Sequence, residues 1–137
     1  MNLPVNDSIA FRIARTANRI NQTITTLLSA EGIAPEQRIL LEILTTCEHV
    51  NQITLCAMLN KSPATISRTL DSLEKKGLIV KKSIEHDKRA NLIEVTHEGY
   101  DVLQRSEATV LAFRKSLSDR LTLEEKNTLF SLLEKLS

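Results

Sequence analysis

The chain has 137 residues and a formal net charge of +1, from 18 basic and 17 acidic side chains, with 42% hydrophobic but only 3% aromatic residues. Its length suits one domain, able to bury roughly two thirds of the surface the unfolded chain exposes, and so few aromatics (Phe11, Tyr100, Phe113, Phe130) argue against a base-stacking platform or an aromatic cage. No run approaches the roughly 18 apolar residues of a membrane span, and the start has neither a basic leader nor an apolar signal core, so a cytoplasmic protein with no membrane partner is expected.

Three glycines and three prolines leave few places to turn, and long helices follow. Over residues 7–31, Ile13, Ala17, Ile20, Ile24 and Leu27 recur at steps of four and three and form one helical stripe; Asp7 or Ser8 caps its start and Gly32 ends it. Pro35 suits the first position of a second helix, with Ile39, Leu40, Ile43 and Leu44 as its buried face, fading near 47–50. A short third helix over 54–60 carries Leu55, Met58 and Leu59. Ser62 and Pro63 repeat the cap-and-proline start; Ile66, Leu70 and Leu73 lie on one face of this fourth helix, and Gly77 is placed to end it in the left-handed conformation.

The period then changes. Residues 78–84 and 90–96 read as two strands, with Ile93 and Val95 on one face and Asn91 able to share it, joined by a polar turn at 85–89. The chain is helical again from 96 to about 119. A last helix begins at Leu121 and Thr122, where Thr122 and Glu125 match a capping box, and Leu129, Leu132, Leu133 and Leu136 form its apolar side.

A short helix, a tight turn, a Ser-Pro-capped helix and a basic hairpin outline a winged helix-turn-helix. Cys56, Ala57, Leu59, Ile66, Leu70 and Leu73 are expected to form one small core, turning Ala64, Thr65, Ser67 and Arg68 outward. Small side chains allow close approach to a groove floor, Thr65 and Ser67 can bond phosphates or base edges, and Arg68 can donate two parallel hydrogen bonds to guanine. Residues 61–89 hold eight basic side chains (Lys61, Arg68, Lys75, Lys76, Lys81, Lys82, Lys88, Arg89) against four acidic ones (Asp71, Glu74, Glu85, Asp87), a net +4 that leaves −3 for the rest. A contiguous basic unit is what phosphate contact requires.

The residues Leu59-x-x-Ser62-Pro63-x-Thr65-Ile66-Ser67-Arg68-x-Leu70-x-x-Leu73-Glu74-x-x-Gly77-Leu78-Ile79, then Asp87-Lys88-Arg89-Ala90, then Val95-Thr96-x-x-Gly99, resemble the MarR family of bacterial transcription regulators. The resemblance implies a mainly α fold with a small β-hairpin wing. A winged helix-turn-helix DNA-binding part would occupy residues 35–96 of a single domain over 1–137, flanked by dimerisation helices over 1–32 and 97–137. It further implies a homodimer on double-stranded DNA, a repressor of an inverted-repeat operator, and release by a small aromatic or phenolic effector held near the first, second and fifth helices. Carried across residue by residue, Ser62, Ala64, Thr65, Ser67 and Arg68 face the major groove and Lys88 and Arg89 sit on the wing. Asp87 matches an acid that pairs with a nearby arginine, leaving one of the wing's two basic residues to structure. The chain departs from the family pattern at Ile84 and His86 in the wing and at Asn60 and Lys61 in the turn, where Asn tolerates the left-handed conformation.

Other chemistries have less to stand on. No spacing among Cys47, Cys56, His49, His86 and His97 matches a nucleophile elbow or a metal motif, so neither an enzyme, a cofactor nor a metal is expected. Cys47, His49 and Cys56 could supply three zinc ligands, but two cysteines in a reducing compartment read as buried thiols, Cys56 as part of the core. The stripe of the first helix and the Leu-rich end (Phe113, Leu117, Leu121, Leu129, Leu132, Leu136) suit either an intramolecular core or a two-fold interface, and the interface is favoured. A winged-helix module that binds protein without reading DNA is the alternative; Arg68 and the basic wing distinguish the two.

Overall fold

The computed structural model describes residues 3–47, 50–84 and 87–137, and the side chains of 83–91 lie outside that description. Helix α1 spans Ile9–Leu28 and is followed by a 3-10 turn, Ser29–Glu31; then come α2 (Pro35–Thr46), α3 (Gln52–Leu59), α4 (Pro63–Lys75), strands β1 (Ile79–Ile84) and β2 (Asp87–Val95), α5 (His97–Ser118) and α6 (Leu123–Leu136). The chain divides into two compact units, residues 1–106 and 107–137, with α5 running through the boundary.

In the first unit most expected helix signals operate. Ser8, not Asp7, caps α1: its Oγ accepts a hydrogen bond from the Phe11 N–H at 3.2 Å. Gly32 ends the following turn at φ 64°. Along the α1 stripe only Ile24 is buried, joined by Leu28; Ile13, Ala17 and Leu27 are exposed and Ile20 half-buried. Pro35 is the first residue of α2, as its fixed φ favours. The buried face of α2 is rotated from the one expected. Gln37, Arg38, Leu40 and Leu41 are buried, whereas Ile39 is exposed and Ile43 and Leu44 are half-buried. Apolar periodicity could not find this face, because two of its four members are polar and are buried by hydrogen bonds rather than by hydrophobicity. Arg38 donates from Nε to Ser106 Oγ at 2.7 Å and from Nη2 to the Leu103 carbonyl at 3.3 Å, and pairs with Glu42. These bonds meet the condition for burying a charge.

The small core of the winged unit is built on Leu55, Ile66, Leu70, Leu73, Leu78 and Ile79, all buried. Three expected members fall outside it: Cys56 and Leu59 are half-buried and Ala57 is exposed; Met58, expected on the apolar side of α3, is exposed too. Leu55 takes the central place instead. Cys47 is likewise half-buried, so neither cysteine is the buried thiol expected. Asn51 caps α3 through Oδ1, which accepts from the Thr54 N–H at 2.9 Å, and starts the helix two residues earlier than expected. Asn60 adopts φ 50° in the turn to α4.

After α4, Gly77 takes φ 75°. The strands are antiparallel, with Ile79 opposite Val95, Lys81 opposite Ile93 and Ser83 opposite Asn91, and then Ile84 opposite Asp87. One step along β1 thus spans four along β2, so Lys88, Arg89 and Ala90 lie in an irregularity of the ladder. The second strand begins at Asp87 rather than at 90; Glu85 and His86 of the expected turn, His49 of the weighed metal site, and the side chains of Asp87 and Asn91 lie outside the described residues. At the hairpin base Thr96 donates from Oγ1 to the Gly77 carbonyl at 2.6 Å, and its Oγ1 accepts from the Gly99 N–H at 3.1 Å. A Cβ on Gly99 would stand 2.3 Å from the Leu78 carbonyl oxygen, which explains the Thr-x-x-Gly spacing: the helix start presses directly on the strand entry.

In the second unit the expected capping box is present. Thr122 Oγ1 accepts from the Glu125 N–H at 3.1 Å, and the Glu125 carboxylate accepts from the Thr122 N–H at 2.8 Å. No residue of α6 is buried. Leu129, Leu132, Leu133 and Leu136 form the expected apolar side, and all are exposed. Among the described residues no helix is long and apolar enough to cross a membrane.

Candidate nucleic-acid interface

The second helix of the helix-turn-helix is amphipathic in the way a reading helix requires. Ile66, Leu70 and Leu73 fix one side in the core, so the opposite side must face outward. There Ser62, Ala64 and Arg68 are exposed and Thr65 and Ser67 half-buried. Five of the seven expected site residues are thereby brought into one turn and a half of α4 and its cap.

The first turn is organised by its own hydrogen bonds. Ser62 Oγ accepts from the Thr65 N–H at 3.2 Å and donates to Thr65 Oγ1 at 3.0 Å, while Arg68 Nη2 donates to that same Thr65 oxygen at 3.5 Å. The Ser62 proton is spent inside the turn, which leaves Ser62 an acceptor toward a ligand. The Thr65 hydroxyl, accepting twice, keeps its own proton to donate. Arg68, with one long bond to Thr65, retains donors for a planar acceptor edge. Gln52 steadies this end of the helix, donating from Nε2 to the Pro63 carbonyl at 3.2 Å.

Basic charge is less uniformly available than the sequence count implies. Lys76 donates to the Gly32 carbonyl and to Gln37 Oε1, each at 2.8 Å; Lys81 pairs with Asp71 at 2.7 Å and Lys82 with Glu94 at 2.8 Å. The last two are surface pairs, weak enough to exchange for phosphate; Lys76 is held by the fold. Lys61 and Lys75 are exposed at the two ends of this helix. The backbone of Lys88 and Arg89 lies in the ladder irregularity, a device that re-aims side chains near functional edges, and their side chains are outside the description. Among the described residues no cluster of three or more His, Cys, Asp or Glu side chains could hold a metal ion.

Sequence periodicity missed Gln37 and Arg38. Gln37 carried a local signal, since a Gln three residues after a cap position completes half of a capping box, and here its Oε1 accepts from the Ala34 N–H at 3.0 Å. Besides Glu42, four residues on, the partners of Arg38 are 65 and 68 residues away, and nothing local announces those two.

A helix-turn-helix whose second helix offers a small, polar, arginine-bearing face beside a basic hairpin defines a winged-helix protein of the DNA-reading class. The description "MarR family" matches at residues 31–90. An uncharacterized HTH-type transcriptional regulator of Bacillus cereus is 30% identical over 132 residues, covering 96% of this chain and 88% of that protein. Two solved structures are similar in fold. The S. aureus MepR–DNA complex superposes with a TM-score of 0.87 at 21% identity, covering 94% of this chain and 96% of that one. CouR from Rhodococcus jostii RHA1 bound to p-coumaroyl-CoA gives 0.82 at 24% identity, covering 98% and 95%. This chain belongs to the MarR family of transcription regulators. These relatives are regulators rather than enzymes, and none supports the protein-interaction module weighed as the alternative.

Proposed function

We propose that this DNA-binding transcription regulator acts in the cytoplasm as a homodimer that reads an inverted-repeat operator and represses from it. In this reading residues 35–96 form the DNA-binding part, and 1–32 and 97–137 supply dimerisation helices. Ser62, Ala64, Thr65, Ser67 and Arg68 enter the major groove, and Lys88 and Arg89 reach the flanking groove from the wing.

The observation that carries the reading is the two-sided character of α4: three core residues on one side, and a hydrogen-bonded Ser62–Thr65–Arg68 cluster exposed on the other. The DNA complex of MepR supports the partner class. The apolar faces left exposed on the first half of α1 (Ile9, Ile13, Ala17) and on α6 support self-association, because such faces are costly in water and a two-fold contact covers the same patch on both chains. The p-coumaroyl-CoA complex of CouR supports an aromatic or phenolic effector, whose binding would release the DNA.

Replacing Arg68 by Ala is expected to weaken operator binding by about 1–3 kcal/mol while leaving scrambled DNA nearly unaffected. Competition titration on both DNAs checks this. Equal losses on the two would reduce Arg68 to a phosphate contact and take base reading away from this helix face.

A further inference from the structure

Gln37 is only 8% exposed, and both ends of its amide are hydrogen-bonded. Its Oε1 accepts from the Ala34 N–H at 3.0 Å and from Lys76 Nζ at 2.8 Å, and its Nε2 donates to Ser72 Oγ at 2.9 Å. Lys76 Nζ also donates to the Gly32 carbonyl at 2.8 Å. One buried side chain thus joins the turn that follows α1, the start of α2 and the last turn of α4. None of these residues belongs to the Ser62–Arg68 face.

The geometry points to Gln37 and Lys76 as positioning residues that fix the angle between the reading helix and α1, and so set the half-site spacing the protein selects. The inference rests on the homodimeric reading above, in which α1 is a dimerisation helix and the two reading helices span one operator. Helix α4 has 13 residues and is about 20 Å long. The polar node holds its C-terminal end, while its N-terminal end enters the groove. A swing of about 10° around the node would carry the Ser62 end about 3.4 Å, the rise of one base pair. A joint that defines spacing to one base pair must therefore hold that angle to within a few degrees. A single surface lysine contact would not, but a network of three hydrogen bonds anchored on one buried amide is stiff enough.

The same arrangement excludes Lys76 from the phosphate contacts that its place in the basic segment suggests. Two of its three ammonium donors are used inside the fold, and it lies at the far end of α4 from the reading turn.

The test uses the full-length protein and an operator selected by it from random DNA, remade with its half-sites one base pair closer and one base pair further apart. Wild type should lose about tenfold or more for each displaced base pair. For Lys76→Met and Gln37→Leu the penalty for wrong spacing should fall by about tenfold, with the dependence of affinity on salt unchanged. Gln37→Glu, which keeps the acceptor for Lys76 and Ala34, should retain the wild-type profile. Should Gln37→Leu fail to fold, Lys76→Met carries the test, because its side chain is exposed. A salt slope reduced by about 1 in Lys76→Met would make Lys76 a phosphate contact and overturn the inference, as would a spacing penalty that stays intact. A wild type with no spacing optimum would instead bring down the two-half-site reading, and this inference with it.

Discussion

Ile66, Leu70 and Leu73 of α4 are at most 2% exposed, while Leu129, Leu132, Leu133 and Leu136 of the last helix stand between 42% and 57% exposed, although both sets follow the steps of three and four of a helical stripe. The winged unit closes its core within one chain, through three short helices, a hairpin and polar joints at Gln37 and Thr96. Helix α6 is well capped at both ends of its first turn and yet buries nothing. A capped helix with an unburied leucine face has the local order needed to present that face to another molecule. The same periodicity therefore accompanies a buried face in one region and an exposed face in the other, and the spacing alone does not tell them apart.

The largest expected effect lies in the region that closes on itself. Leu70→Ala should lower unfolding free energy by about 2–5 kcal/mol, read by denaturant titration and independent of protein concentration. A cost under about 1 kcal/mol would mean that the winged core is not closed in solution. Next in size is Gly99→Ala, where a methyl group would meet the Leu78 carbonyl and Val95. Since backbone on one side cannot yield cheaply, a loss of about 1–3 kcal/mol is expected in the same titration, and an unchanged midpoint would show that the start of α5 does not press on the strand entry. The smallest effect on the single chain is predicted in the open region. Leu132→Ala should alter unfolding of the dissociated chain by less than about 0.5 kcal/mol, but raise the dimer dissociation constant about tenfold or more, because a two-fold contact carries the truncation twice. Sedimentation across a dilution series separates these two quantities, and a large loss in the dissociated chain with unchanged association would make α6 core rather than interface.

Much of this was legible in the residues. The punctuation by Ser8, Gly32, Pro35, Ser62, Pro63, Gly77 and Thr122 is local chemistry, and each appears in the structure where a short-range rule puts it. The exposed face of α4 follows from the same logic: once Ile66, Leu70 and Leu73 face inward, Ala64 and Arg68 must face out. What escaped was set at a distance. The face of α2 is rotated because Arg38 finds Ser106, and Gln37 finds Ser72 and Lys76, far along the chain. Lys76 counted as available charge in the sequence and is tied to Gly32 and Gln37 in the fold. Cys56 was expected in a core that Leu55 occupies, since on a helix of eight residues nearly every position is apolar and the pattern has no phase.

In the proposed homodimer two copies of α4, joined through the open faces, act on one DNA. Selection from random double-stranded DNA by the purified full-length protein tests it most directly. An enriched inverted repeat is expected, with half-sites about one helical turn, roughly 10 base pairs, apart from centre to centre. Enrichment of a lone half-site, or of no sequence at all, would contradict it.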